Sequence, residues 1–189
     1  MRPEPLPARE RILSTAHDLF YRDGIRATGI DKLIAESGVA KLTFYRHFPS
    51  KDALVTSFLD YRHRRWMAWF AAALQRHGGA PGSGLAPLAA AMAEWFAEPA
   101  FRGCAFINAV AEVGGSLPEA VSIAQAHKRQ MVQAIAELLP RGAQRKARAE
   151  AAALAVDGAI VRAQMTGKAG EAGAALAGLR RLLAALERA

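Results

Sequence analysis

Lys41, Thr43, Tyr45, Arg46 and His47 crowd ammonium, hydroxyl, phenol, guanidinium and imidazole groups into one short stretch. At this spacing they form neither a nucleophile–base pair nor a metal-ligand set. What they share is the capacity to hydrogen-bond phosphate oxygens and base edges. Leu42, Phe44 and Phe48 add apolar surface among them. Phe44 and Phe48 lie four apart and so share one helical face, the face that packs inward. Lys41 with Tyr45, and Thr43 with His47, fall on other faces. Lys51, at the start of the next helix, is placed to meet a phosphate.

Such donors work only if a scaffold presents them together. The segment from Thr28 to Leu54, TGIDKLIAESGVAKLTFYRHFPSKDAL, reads as that scaffold. A short amphipathic helix with Ile30, Leu33 and Ile34 on its buried face is followed by Ser37-Gly38-Val39 and a second short helix over 41–47. Two short helices joined by a tight glycine turn form a helix-turn-helix, whose second helix fits the DNA major groove. Gly38 is expected in the left-handed conformation that such a turn requires. Thr28-Gly29-Ile30-Asp31 has capping-box spacing with Asp at the last position, and Gly29 is the alternative N-cap. Ser50 is expected to cap the following helix.

The rest of the chain is punctuated into further helices, with no strand pattern. A helix over about 7–23 carries Ile12, Leu13, Ala16, Leu19 and Phe20 at helical spacing and stops at Gly24. A long helix over 51–76 spans roughly 35–40 Å, a suitable connector between two halves of a molecule. GGAPGSG at 78–84 reads as a linker. Leu85, Leu88, Met92, Trp95 and Phe96 mark a fifth helix. Helices follow over 101–113, 118–139, 143–166 and 172–188. The expected fold is all-α, with an N-terminal three-helix DNA-binding domain over 1–50. A C-terminal helical domain is expected over 51–189.

Bulk properties narrow the choices. The 189 residues carry a net charge of +8, which favours a polyanionic partner, but the excess is spread along the chain and marks no face. The single cysteine, Cys104, excludes an intramolecular disulfide and fits a reducing cytoplasm. The start MRPEPLPARER has no apolar core of a signal peptide, and no apolar run approaches the length of a membrane span. Without a spaced metal-ligand set, nucleophile elbow or phosphate-binding loop, no enzyme, metal or cofactor is expected.

Spacing and residue type over Gly24–Leu54 together resemble the N-terminal domain of TetR/AcrR-family bacterial transcriptional regulators. The residues that carry the resemblance are Gly24, Thr28, Ile34-Ala35, Ser37-Gly38-Val39, Tyr45-Arg46-His47-Phe48, Lys51 and Leu54. Two positions depart from the family pattern: Gly29 replaces a frequent hydroxyl residue, and Leu42 stands where many members have glycine. The resemblance implies phosphate contacts from Tyr45, His47 and Lys51, with Thr28 also on the DNA-binding side. It leaves Lys41, Leu42, Thr43 and Arg46 for the bases. An arginine can grip guanine bidentately, and a leucine can touch a thymine methyl.

The implied partners are a double-stranded operator, a second copy of the chain and a small-molecule effector. Two helical stripes suit a four-helix dimer interface: Ala151, Leu154, Gly158, Val161 and Met165 in the eighth helix, and Leu176, Leu179 and Leu183 in the ninth. A stripe of this kind also fits packing within one protomer. The effector pocket is expected among Trp66, Phe70, Trp95, Phe106, His127 and Met131, with Asn108, Glu112 and Arg162 as polar contacts. Aromatics and methionines line small-molecule pockets, though more often they form ordinary core. RGCAFINAVAE at 102–112 resembles the family's sixth-helix region, which commonly borders that pocket. The expected activity is ligand-released repression. The competing reading is a helical ligand-binding or interaction module that binds DNA weakly and without specificity.

Overall fold

A computed structural model describes residues 6–167 and 171–188; the first residues of the charged N-terminal stretch lie outside them. Among the described residues the chain is all-helical. The helices are α1 (Ala8–Asp23), α2 (Ile30–Ser37), α3 (Lys41–His47), α4 (Lys51–Arg76), α5 (Ala86–Ala97), α6 (Ala105–Val113), α7 (Pro118–Leu138), α8 (Arg145–Met165) and α9 (Gly173–Arg188). They divide into two compact units. One comprises the chain up to Arg64 with Ala105–Gln125, and the other comprises Arg65–Cys104 with the chain from Ala126 on. The unit that holds the helix-turn-helix therefore takes in more chain than residues 1–50.

In the first unit, α1 buries Ile12, Leu13, Ala16, Leu19 and Phe20, the residues its spacing selects. Each fully buried isoleucine, leucine or phenylalanine among them contributes about 1.5–3 kcal/mol. α1 packs on both α2 and α3. Gly24 ends α1 at φ 92°, a conformation that disfavours a side chain. Thr28 does not cap α2. Its hydroxyl donates backward to the Gly24 carbonyl at 2.7 Å, and extended Gly29 takes the cap position instead. Of the expected inner face of α2, Leu33 is fully buried, while Ile30 and Ile34 are half-buried.

Gly38 turns left-handed at φ 62° and ψ 33°, which ends α2 and redirects the chain into α3. Phe44 and Phe48 are both buried, with ring centroids 6.3 Å apart. The Ser50 hydroxyl accepts the Ala53 amide at 3.1 Å, the bond expected of an N-cap. The first turns of α4 bury Leu54, Val55, Phe58 and Leu59, and Phe58 meets Phe20 edge-on at 5.3 Å.

In the second unit, α5 buries Leu88, Met92, Trp95 and Phe96. The 78–84 segment is not a free linker between domains. Both its flanks belong to this unit, and its backbone is bonded at Gly79 N–H to Leu74 O (2.8 Å), Gly82 N–H to Glu137 O (3.1 Å) and Gly84 N–H to Leu138 O (2.8 Å). The Glu187 carboxylate then accepts the Leu85 amide at the start of α5. α8 turns a face of small residues inward, including Ala149, Ala152, Val156, Ala159 and Ala163, and packs along α9. The helix expected from residue 101 begins only at Ala105. Before it the chain turns through Gly103 at φ 80°, and the Arg102 side chain bonds the carbonyls of Pro99 (3.1 Å) and Phe101 (2.7 Å).

Candidate nucleic-acid interface

The two buried rings of α3 fix which side of the helix faces outward. Lys41, Leu42, Tyr45 and Arg46 are exposed, and Thr43 and His47 are half-buried beside them. Leu42 is 73% exposed. Lys51 lies half-buried in the first turn of α4, just after the cap. Lys41 Nζ lies 4.0 Å from Asp31 Oδ1, at the outer limit of an ion pair. Arg9 was not singled out in the sequence. Its guanidinium lies 5.3 Å from the Phe48 ring centroid, a cation–π contact that spacing along one helix does not reveal.

Thr28 must be removed from the residues able to touch DNA. It is fully buried, and its hydroxyl is committed to the Gly24 carbonyl. Its contribution is to shape the loop ahead of α2. That loop is also pinned by Asp23, which accepts from Arg22 (2.7 Å) and from Lys32 Nζ (2.9 Å). Hydrogen bonding from Arg22, then from Lys32, holds the Asp23 carboxyl well below the usual carboxylate range.

The residues expected around an effector fall in both units. Trp66 stacks on Phe70 at 4.7 Å and meets Trp95 at 5.5 Å and His127 at 5.0 Å. Phe101 closes on Trp95 at 5.2 Å and on Phe96 at 5.1 Å. Met131 is buried one turn along α7 from His127. The Trp66 indole N–H is buried with no acceptor among the described residues.

Phe106, Asn108 and Glu112 belong to the unit that carries the helix-turn-helix. Phe106 meets His63 edge-on at 6.4 Å. The Glu112 carboxylate accepts the Arg26 amide at 2.9 Å. Arg162 is exposed on α8. A separate groove of about 510 Å³ between α7 and α8 is lined by Arg129, Val132, Ala136, Arg145 and Lys146 among others; it includes none of the expected effector residues.

The two dimer stripes also separate. On α8, Leu154 is 72% and Met165 79% exposed, Gly158 is exposed, and Ala151 and Val161 are half-buried. This is the outer face, opposite the buried alanines. On α9, by contrast, Leu179 and Leu183 are buried within the protomer and Leu176 is half-buried; Leu182 is the exposed leucine. Leu179 and Leu183 are core residues because α9 uses that stripe to pack on its own chain.

A family model described as bacterial regulatory proteins, tetR family, matches residues 12–58. The chain is 43% identical over 53 residues to an uncharacterized HTH-type transcriptional regulator, YerO, of Bacillus subtilis, covering 28% of this chain and 18% of that one. It thus spans less than a third of the first curated relatives it matches. A crystal structure of a TetR-family transcriptional regulator from Streptomyces coelicolor superposes with a TM-score of 0.80 at 32% identity, covering 95% of this chain and 96% of the other. A putative tetR-transcriptional regulator from Streptomyces avermitilis superposes with a TM-score of 0.75 at 25% identity, covering 95% and 99%.

Proposed function

Because this chain belongs to the TetR family of DNA-binding transcriptional regulators, we propose that it is a ligand-responsive repressor. It binds a near-palindromic operator as a homodimer and is released by a small-molecule effector. The observation that carries this reading is the outer face of α3, where Lys41, Leu42, Tyr45 and Arg46 stand exposed beside a Gly38 turn of helix-turn-helix geometry. Lys41, Leu42, Thr43 and Arg46 read bases, while Tyr45, His47 and Lys51 hold phosphates.

Residues 1–50 carry the DNA-reading function, and residues 51–189 carry dimerisation and effector response. Ala151, Leu154, Gly158, Val161 and Met165 form the dimer face, with Leu182 now the α9 residue suited to join them. The effector contacts the aromatic cluster of Trp66, Phe70, Trp95 and His127, and an acceptor on it pairs with the buried Trp66 indole N–H. Such a bond removes the cost of leaving that donor unsatisfied. Effector binding tilts α4 and changes the spacing of the two recognition helices. The coupling requires that the ligand prefer one state, typically by about 1–3 kcal/mol. The protein acts in the cytoplasm; no described helix is long and apolar enough to cross a membrane.

Selection from a randomised duplex library at near-physiological salt tests the reading. A palindromic consensus supports specific dimeric recognition. Retention without a consensus, abolished by modest salt, rejects it in favour of a helical module that binds DNA non-specifically.

A further inference from the structure

Glu112 sits in the last turn of α6, where the exposed carbonyl ends of a helix disfavour an acidic side chain. What offsets this is a contact 86 residues away in sequence: its carboxylate accepts the backbone N–H of Arg26 at 2.9 Å. The same carboxylate lies against Gly24. A side chain there would begin 3.1 Å from Glu112 Oε2, and the residue also has a φ of 92°. A glycine in the loop and an acid on α6 are therefore fitted to each other.

The loop they share leads directly into the DNA-reading elements. It is closed on itself by the Thr28 hydroxyl on Gly24 O at 2.7 Å, and α2 begins two residues later at Ile30. α2 passes through the Gly38 turn into α3 with only Val39 and Ala40 between them. A rotation of the loop is thus carried through α2 to the recognition helix. At its other end α6 is anchored by buried Phe106, edge-on to His63 of α4. α6 consequently braces the loop before α2 and the helix after α3.

We propose that Glu112 is a positioning residue for operator recognition, holding the α1–α2 loop so that α3 is presented in its reading orientation without itself touching DNA. This rests on the operator reading above, and its test separates the two. Full-length wild type and the variants Glu112→Ala, Glu112→Gln and Glu112→Asp are titrated against the selected operator by fluorescence anisotropy at several salt concentrations. Exchange of the Arg26 amide is followed in the free proteins.

A lost hydrogen bond to a charged acceptor should weaken operator affinity about tenfold in Glu112→Ala. The salt slope should stay unchanged, since no phosphate contact is removed. The Arg26 amide should exchange faster. Glu112→Gln keeps an acceptor oxygen in place and should stay within about threefold of wild type, because a neutral acceptor retains part of the bond. Glu112→Asp retracts the carboxylate by one methylene and should lose affinity despite keeping the charge. If Glu112→Ala fails to fold, the Gln and Asp variants decide the matter. Wild-type affinity in Glu112→Asp, or equal losses in Gln and Asp, overturns the proposal. A wild type that selects no consensus sinks the operator reading itself. A wild type that binds while Glu112→Ala binds equally well sinks only the role of Glu112.

Discussion

Lys51 and Arg46 should fail in different ways. Lys51, in the first turn of α4, is assigned to a phosphate. Its change to alanine should weaken binding to every duplex alike and flatten the salt dependence by about one unit of slope. Arg46 is exposed on α3, and its change to alanine should relax preference at one or two base pairs, at a cost of about 1–3 kcal/mol for the cognate base. Competition assays with single-base operator variants distinguish the two, and a uniform loss for Arg46→Ala would reassign it to the backbone. Asp23 makes a prediction of another kind. Its folded carboxyl titrates below its ordinary value of 3.8, because Arg22 and Lys32 favour the charged form. The unfolded chain therefore takes up this proton first as pH falls. The stabilisation is present above that ordinary value and is lost progressively below it. Asp23→Asn should consequently flatten the fall of the urea midpoint between about pH 4 and pH 2, the range below an unperturbed aspartate. A variant whose acid profile matches wild type would show that the pairing contributes nothing to folding.

At the scale of elements, the glycine turn was legible before the fold because its requirement is local. Gly38 must adopt a left-handed conformation, and it does so at φ 62°. An added Cβ there would find nothing nearer than Arg11 Nη1 at 3.8 Å, so the cost of Gly38→Ala is backbone strain rather than collision. That cost should be about 1–2 kcal/mol, and Gly38→Asn should cost less, since asparagine tolerates this region. Urea denaturation of the two variants checks both the size and the order. The same local logic located Ser50 as a cap and Phe44 and Phe48 as the anchored side of α3. It failed where the deciding partner is not the one the local spacing selects. Thr28 has the spacing of a cap, yet its hydroxyl turns back to Gly24. Glu112 reads as a polar group near a pocket until its bond to Arg26 is seen. The stripe of α9 is periodic whether it faces its own chain or another. Only the packing of α8 on α9 shows that Leu179 and Leu183 are already used.

At the scale of the molecule, an apolar stripe on α8 stands exposed among the described residues. Leu154 and Met165 stand 72% and 79% exposed on α8, with Gly158 between them and nothing within 4 Å of where its Cβ would be. Two copies meeting about a twofold axis would bury each of these residues twice. At about 1.5–3 kcal/mol for each leucine or methionine covered, the pair of positions would supply roughly 6–12 kcal/mol to the dimer. Replacing both with glutamate removes that contribution and brings like charges together across the axis. Leu154→Glu/Met165→Glu should therefore sediment as a monomer at micromolar concentration while keeping the helical circular dichroism of wild type, because neither side chain belongs to the protomer core. Its operator affinity should fall by at least about a hundredfold, since the second half-site no longer gains from the first. A variant that remains dimeric would place the interface elsewhere. A monomer that binds the full operator as tightly as wild type would mean that one recognition helix suffices, and the twofold operator would lose its physical basis.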